Sequence, residues 1–374
     1  MKDRSRIDRR KFLKLAGAAG IVAVGAACAP AAAPTATPTK APSGAATTPQ
    51  PAGAASPAAL KPEAVRAQLY EAAKKEGQVV MYSTGTSKDT EAFRTVFSKS
   101  YPGIEIKEFM GTAEQILEKV LTEFKAGKVN ADYVLVPVEQ WATMIKEGMV
   151  EKWDPPEKAN FPASAVDPNG FYVTEQATIH VISYNTQLVP AADSPKNYQD
   201  LLKPAFKGKL GLESKAYSWF AQRMEIWGKD KAVEYCKKLA EQQPKFITGN
   251  TALADSVVSG EVWAAVNVYQ HRVEEQKGKG APVKWAVDDP TGCEPNSAGI
   301  MKGSPHPNAA KLFYDWKLSK EGQEITLKAL SRYSIRTDLP IPPELKVNVK
   351  LPTMQTALAT PEAGKLFKEI FGLV

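Results

Sequence analysis

Short β-rich runs alternate with helical segments in two similar series along this chain, and this alternation limits its fold more than any other feature. In the first series, strands are predicted at residues 78–84, 104–109 and 132–136, with amphipathic helices between them. In the second series, corresponding strands are predicted at residues 210–212 and 262–268. Such alternation is typical of a parallel sheet with helices on its faces. The sequence therefore predicts an α/β fold of two lobes, each a mostly parallel sheet flanked by helices.

Two further β-rich runs are placed to connect the lobes. Residues 178–186 lie near the middle of the chain and end in turn-forming residues, and residues 296–301 lie far downstream. If the second run pairs with the first as a return crossing, the backbone of both runs forms a hinge. The alternative is that both are ordinary strands without a hinge role, and the order of the other elements favours the hinge. The predicted hinge residues are Tyr184, Asn185, Asn296 and Ser297.

The first 28 residues are typical of an export signal. A basic segment is followed by the apolar run 15–27, which is too short to span a bilayer comfortably. Residues 9–14 resemble a twin-arginine export signal, and residues 25–28 resemble the lipobox of bacterial lipoproteins, although Gly25 stands where a leucine or valine is usual. The lipobox resemblance implies that Cys28 becomes an acylated N-terminus and a membrane anchor. The alternative is an accidental cysteine after an ordinary signal.

We therefore expect an exported protein of the cell envelope, held on the outer face of the cytoplasmic membrane or in the periplasm. Residues 29–62 are nearly all alanine, proline, threonine, serine and glycine, so they cannot bury enough apolar surface to offset the entropy of ordering. The predicted organisation is a signal peptide at 1–28, a disordered tether at 29–62, one lobe at 63–180 plus about 297–331, a second lobe at 181–296, and C-terminal helices at 332–374 whose lobe is left open.

The net charge and the cysteines limit the classes of protein. The formal net charge is +7, but seven lysines and arginines and only two aspartates precede Cys28, so about +2 remains without that segment. A nucleic-acid-binding role thereby loses its main support, and none is predicted. Cys236 and Cys293 form either one disulfide or two free thiols, and free thiols are favoured because a large core does not need the crosslink.

The alternative class is an enzyme, but the sequence contains few of the motifs that catalysis would need. No nucleophile elbow, zinc-protease motif, Cys-x-x-Cys pair or phosphate-binding loop is present. The three histidines, His180, His271 and His306, have no metal-like spacing. The prediction is therefore a protein without catalytic residues. A third class, an adhesion or structural lipoprotein, would have no reason to build two α/β lobes with a cleft.

Several short motifs occur in order over most of the chain after the tether. They lie at residues 82–84, 111–116, 126–132, 146–150, 184–186, 207–209, 260–261 and 304–313. In this order they resemble the extracellular solute-binding proteins of ABC importers, of the family 1 kind that includes ferric-iron-binding periplasmic proteins. The resemblance implies a type II periplasmic-binding-protein fold, in which crossing strands join two lobes that close on a solute. It also implies a monomer that needs no cofactor and works with a membrane permease and its ATPase.

The ligand crevice of an open α/β sheet lies beyond the carboxyl ends of its strands. The candidate ligand-binding residues of the first lobe follow its strands and are Tyr82, Ser83, Thr84, Thr112 and Glu139. Those of the second lobe are Ser214, Tyr217, Tyr269 and Arg272, where Ser214 is expected to cap a helix whose free N–H groups face an anion.

The resemblance gives two candidate solutes. Ferric-iron binders of this family typically use two adjacent tyrosines, and here Tyr269 fills the first position while Gln270 stands in the second. Tyr217, His271 and Glu139 are the candidates to complete an iron site around Tyr269. Ferric iron or a ferric chelate is therefore the first candidate. A small organic anion or a phosphorylated solute fits the hydroxyl groups and Arg272 equally well.

Overall fold

The computed structural model describes residues 61–373 of the protein. The predicted signal peptide, the lipidation site Cys28 and nearly all of the predicted tether lie outside these residues. None of the helices within residues 61–373 combines the length and the apolar character that crossing a membrane requires.

Strands and helices alternate as the sequence predicts. The strands are β1 (Gln78–Ser83), β2 (Glu105–Met110), β3 (Tyr133–Pro137), β4 (Val150–Glu151), β5 (Val173–Asn185), β6 (Leu210–Glu213), β7 (Lys245–Ile247), β8 (Ala264–Tyr269), β9 (Val283–Ala286), β10 (Cys293–Met301) and β11 (Tyr333–Ser334). The helices are α1 (Pro62–Glu76), α2 (Ser87–Ser100), α3 (Ala113–Lys125), α4 (Val138–Lys146), α5 (Tyr217–Trp227), α6 (Lys229–Glu241), α7 (Asn250–Val258), α8 (Gln270–Gly278), α9 (Pro307–Leu318), α10 (Lys320–Glu324), α11 (Met354–Leu358) and α12 (Thr360–Phe371).

The first lobe is built on a sheet with the strand order β2-β1-β3-β10-β5. β1 pairs in parallel with both β2 and β3, and β10 joins β3 to β5 by antiparallel pairing. Residues 133–136 of β3 are buried without alternation, as expected for a strand with both faces covered by helices. The helices α2 and α3 begin at Thr86 and Thr112, whose side chains form capping boxes with Asp89 and Gln115.

The second lobe repeats this plan. β6 pairs in parallel with β7 and β8, and β5 borders this sheet through antiparallel pairing with β8 and β9. Its core is aromatic and includes the fully buried side chains of Trp219, Phe220 and Tyr198. The helix α12 covers this core, because Phe367 packs against Tyr217 and Phe220 of α5.

The long strand β5 belongs to both sheets and is buried along its whole length. It pairs with β10 as far as Ile179, and from His180 onward it pairs with β8 and β9. Residues 178–186 therefore do pass between the sheets, but the predicted pairing with residues 296–301 is wrong. Residues 296–298 pair with residues 173–176, and only residues 178–179 of the first run pair with β10, at residues 293–294. The backbone passes from one sheet to the other at Ile179–His180, beside the start of β10 at Cys293.

The hinge prediction needs a correction at its first two residues. Tyr184 and Asn185 lie at the far end of β5, inside the second sheet, where they pair with Lys284 and Val283 of β9. The turn-forming character of this stretch marks the end of the strand and not the crossing between sheets. Asn296 and Ser297 flank a break in the register between β10 and β5, and their hinge role stays a prediction.

The C-terminal helices divide between the lobes. α9 packs on α1 of the first lobe, α12 packs on α5 and α6 of the second lobe, and the short helix α11 contacts both α4 and α5. The short helix α10 gives way to a π-helical turn at Ile325–Ala329. Cys236 and Cys293 are buried free thiols, as favoured from the sequence.

Candidate functional site

The carboxyl ends of β1, β3, β6 and β8 face the region where β5 and β10 pass between the sheets. Glu294 of β10 is the centre of a hydrogen-bonded cluster there. Its Oε2 accepts a hydrogen bond from the Tyr269 hydroxyl at 2.7 Å, and its Oε1 accepts one from the Ser218 hydroxyl at 3.0 Å. The Nε2 of His180 lies 3.5 Å from the same Oε1, and the His180 ring stacks on the Tyr269 ring. We call Tyr269, Glu294, His180 and Ser218 the Tyr269 cluster.

The electrostatics of the Tyr269 cluster keep the tyrosine protonated and the glutamate charged. Burial, followed by the negative charge of Glu294, holds the pKa of Tyr269 well above its usual value. Burial also opposes the charge on Glu294, but hydrogen bonds from His180, Tyr269 and Ser218 outweigh it and lower the pKa of Glu294. The Tyr269 hydroxyl is therefore a hydrogen-bond donor and not a phenolate.

A cavity of about 190 Å³ lies on one side of the Tyr269 cluster, and we call it the basic cavity. The first turns of two helices, α2 and α8, open onto it, one from each lobe. The N-terminus of α8 has no side-chain cap and presents N–H groups and a partial positive charge, whereas that of α2 carries the capping box of Thr86 and Asp89. The lining residues are Thr86, Lys88, Asp89, His271, Arg272, Glu275, Ala329, Leu330, Ser331 and Arg332.

The charges of the basic cavity are partly compensated. Arg332 lies 2.8 Å from Asp89, and Arg272 lies 3.1 Å from Glu275. Lys88 makes no ion pair with any residue in the described part of the chain, so the three cations exceed the two carboxylates. Burial, followed by the charges of Arg332 and Arg272, lowers the pKa of His271 to about 3, so His271 is neutral at pH 7. The cavity is therefore suited to an anion.

A second cavity, of about 440 Å³, lies on the other side of the cluster, and we call it the acidic cavity. Its lining residues are Ala113, Glu114, Pro137, Glu139, Gln140, Ser218, Gln222, Glu294, Pro295, Ala357, Leu358, Thr360 and Pro361. They come from both lobes and from the C-terminal segment around α11. Burial, together with the nearby charge of Glu294, raises the pKa of Glu139 to about 7.

The structure brings only some of the predicted residues to these two cavities. Arg272 lines the basic cavity, Glu139 lines the acidic cavity, and Tyr269 lies between them. Ser83 borders a narrow crevice that shares Asp89 and Arg332 with the basic cavity, and its hydroxyl accepts a hydrogen bond from the Gly85 N–H at 2.9 Å. Thr84 and Thr112 lie just after β1 and β2, and neither of them lines either of these cavities. The side chain of Thr112 is instead occupied in capping α3.

Two predicted tyrosines lie elsewhere. Tyr82 is buried in the core between the first sheet and α3, packs against Phe109, and donates a hydrogen bond from its hydroxyl to Glu123 at 2.7 Å. Successive side chains of a strand point to opposite faces, and Tyr82 points away from the cleft. The ring of Tyr217 packs against Phe367 of α12, so Tyr217 does not complete an iron site with Tyr269.

The predicted anion site at Ser214 is already filled by the chain itself. The carboxylate of Glu213 accepts hydrogen bonds from the backbone N–H groups of Lys215, at 2.5 Å, and Gly249, at 3.3 Å. The Ser214 N–H donates to the carbonyl of Ile247, and its hydroxyl bonds with Thr248. In the loop before α5, a neighbouring carboxylate therefore takes the place of an external anion at Lys215 and Gly249, and Ser214 does not cap α5, whose N-cap is Ala216.

The structure also identifies residues that the sequence reasoning missed. Glu294 is the one charged side chain within β10, and it lies two residues before the predicted crossing run. A single charge within a buried strand is a sequence signal that could have identified it as a site residue. Arg332 follows an irregular helix far along the chain, and no local pattern connects it with α2. His180, which has no metal-like spacing in the sequence, stacks its ring on the ring of Tyr269. Within residues 61–373, no group of three or more histidine, cysteine, aspartate or glutamate side chains could hold a metal ion.

Residues 92–353 match the family model described as bacterial extracellular solute-binding protein. The major ferric iron-binding protein of Neisseria gonorrhoeae is 26% identical over 175 residues, which are 44% of this chain and 51% of that protein. The chain spans about half the length of the curated relatives it matches.

Two solved structures show the same fold. The iron-bound HitA of Pseudomonas aeruginosa matches with a TM-score of 0.67 and 22% identity over 78% of this chain and 99% of that one. AfuA from Actinobacillus pleuropneumoniae, with fructose-6-phosphate bound, matches with a TM-score of 0.65 and 22% identity over 80% of this chain and 99% of that one. The expected type II periplasmic-binding-protein fold is confirmed. The chain belongs to the family of bacterial extracellular solute-binding proteins.

Proposed function

We propose that this protein is the solute-binding component of an ABC importer. It captures a small solute between its two lobes and delivers it unchanged to a membrane permease driven by an ATPase. The family match, the two-lobed fold and the cavities lined by both lobes support this proposal. A solute that contacts both lobes favours the closed arrangement by its differential affinity for that state, and the permease recognises this closed arrangement.

We infer that the solute carries an anionic group, which the basic cavity binds. The observation that carries this inference is the convergence of Arg272, Arg332 and Lys88 with the N-terminal turns of α2 and α8. Arginine forks and helix N-termini suit carboxylate and phosphate oxygens. AfuA, which has this fold, contains a sugar phosphate. The geometry thus favours the organic anion or phosphorylated solute that the sequence placed second.

Ferric iron is the second candidate, and it is favoured by the resemblance to the ferric iron-binding protein of Neisseria gonorrhoeae and to iron-bound HitA, together with one observation at the site. The Tyr269 hydroxyl and the Glu294 carboxylate lie 2.7 Å apart, and both are oxygen ligands of the hard kind that iron prefers. Two observations weigh against it. Tyr269 holds its proton strongly, and Gln270, in the position of the family's second tyrosine, is buried.

Binding measurements separate the two solutes. We expect isothermal titration of the purified protein, stripped of bound solute by unfolding and refolding, to show binding of small phosphate or carboxylate compounds, together with a rise in melting temperature. Loading with ferric citrate is expected to leave the protein colourless. A visible tyrosine-to-iron charge-transfer band that Tyr269→Phe removes, without any binding of iron-free anions, would instead establish ferric iron as the solute.

The lipid anchor is a separate part of the proposal and rests on the lipobox resemblance. We expect Cys28→Ser to release the protein from the membrane fraction into the soluble fraction of the cell envelope, because acylation needs the cysteine thiol. Ser43→Ala, a change within the predicted tether, is the matched control and is expected to leave the protein in the membrane fraction. Equal membrane retention of both variants, measured by fractionation and immunoblotting, would rule out the anchor.

A further inference from the structure

The acidic cavity holds more negative charge than its surroundings neutralise. Glu114, Glu139 and Glu294 line it, and no lysine or arginine does. Within the described residues, Glu114 and Glu139 form no ion pair, and the basic group near Glu294 is His180 at 3.5 Å. The Oε2 atom of Glu139 is buried and has no hydrogen-bond partner among residues 61–373. A buried carboxylate oxygen without a partner is costly, so the cavity lacks a donor or a cation that would complete it.

The shape and chemistry of the acidic cavity limit what can complete it. A metal ion is a poor candidate, because the described residues bring no three carboxylate, histidine or cysteine side chains together around one point. The remaining walls are largely apolar and include Pro137, Pro295 and Leu358. Leu358 is 56% exposed. An ammonium group on a short alkyl chain matches both features, because the charge pairs with the carboxylates and the methylene groups contact the apolar walls.

A single side chain joins the acidic cavity to the basic cavity. Tyr269 stacks on His271 of the basic cavity, with ring centroids 5.8 Å apart, and its hydroxyl bonds to Glu294 of the acidic cavity. The cleft thus has a cationic end and an anionic end on the two sides of one tyrosine. A solute with only one kind of charge satisfies only one of these ends.

We propose that the acidic cavity binds the amine of a zwitterionic solute whose phosphate or carboxylate occupies the basic cavity. This inference rests on the proposed anion site and adds a second subsite with its own chemistry. The solute class is then an aminoalkyl phosphate or an amino acid with a terminal anionic group. Glu139 and Glu294 are the specificity-determining residues for the amine, and Tyr269 lies along the connecting chain.

Matched compounds that differ only in the amine test this proposal. We expect O-phosphoethanolamine and its homologues with three to six carbons to include at least one compound that binds ten times more tightly than the alkyl phosphate of equal length. Glu139→Gln is expected to reduce that advantage to less than twofold. Glu118→Gln, on the exposed surface of α3 and outside both cavities, is the matched control and is expected to keep the full advantage.

A second arm tests the amine subsite without any anion. n-Butylamine at millimolar concentration is expected to lower the pKa of Glu139 from about 7, observed by carboxyl-carbon NMR of the free protein. Because the amine pairs with the charged carboxylate, its affinity should rise as the pH increases through about 7. The other ionisable groups at this site are Glu114, Glu294, Tyr269 and His180, and assignment of the Glu139 signal separates them.

The two arms distinguish failure of this inference from failure of the anion site. An effect of butylamine without any binding of phosphates would keep the amine subsite and remove the proposed anion site. Equal affinity for alkyl and aminoalkyl phosphates, or an advantage that survives Glu139→Gln, would overturn the amine subsite. Absence of any butylamine effect on Glu139 would overturn it as well.

Discussion

Replacing Lys317 with methionine is expected to lower the free energy of unfolding by about 3–5 kcal/mol, because it leaves a carboxylate buried without its partner. The Lys317 ammonium group pairs with Glu175, and both side chains are completely buried in the first lobe. Tyr133 completes the group, with its hydroxyl 2.7 Å from Glu175 and 3.1 Å from the Lys317 Nζ. Burial lowers the pKa of Lys317, while the charge of Glu175 opposes this effect.

Denaturant unfolding at pH 7 measures this loss. Lys328→Met is the matched control, because Lys328 pairs with Glu324 on an exposed helical surface, and we expect it to cost less than about 0.5 kcal/mol. The double variant Lys317→Met/Glu175→Leu is expected to recover most of the stability, since it removes both buried charges together. Similar losses for Lys317→Met and Lys328→Met would show that the buried pair has no special role.

The architecture could be predicted from the sequence because it depends on local patterns. Residues 78–84 and 132–136 are β-rich runs bounded by helix signals, and their order along the chain indicates a parallel sheet. The crossing was also predictable, because the order of the other elements places residues 178–186 between the two series of strands and helices. The position of the crossing was not predictable, because it depends on which strands of each sheet pair with β5, and pairing is a long-range property.

The candidate site was predictable only where a strand end fixes the side chain. Tyr269 is the last residue of β8, so the crevice rule predicts that it faces the cleft, whereas the face on which Tyr82 points depends on where α3 packs. The loop at Ser214 had the composition of an anion site, but the carboxylate of Glu213 folds back onto its N–H groups. Arg332 reaches Asp89 across 243 positions in the sequence, and only the folded chain reveals that contact.

Arg332→Gln is expected to weaken binding of the anionic solute by about 30- to 100-fold, or about 2–3 kcal/mol. Arg332 lies at the junction of the C-terminal segment with α2, and its side chain is 14% exposed. Its guanidinium group can bind an anion in the basic cavity through two parallel hydrogen bonds, and Lys88 and Arg272 alone do not replace this contribution. Glutamine retains a hydrogen-bond donor for Asp89, so the fold is expected to persist, with an unchanged circular dichroism spectrum.

Two comparisons separate a binding role of Arg332 from a structural one. Arg94→Gln changes an arginine of the same helix as Asp89 that pairs with Glu91 and does not line the cavity, so binding is expected to remain within twofold of the wild type. Arg332→Lys retains the charge and is expected to recover part of the affinity lost in Arg332→Gln. Because the lost interaction is electrostatic, the affinity of Arg332→Gln should depend less on salt than that of the wild type. If calorimetry gives Arg332→Gln and Arg94→Gln the same affinity and salt dependence, the anion does not bind in the basic cavity.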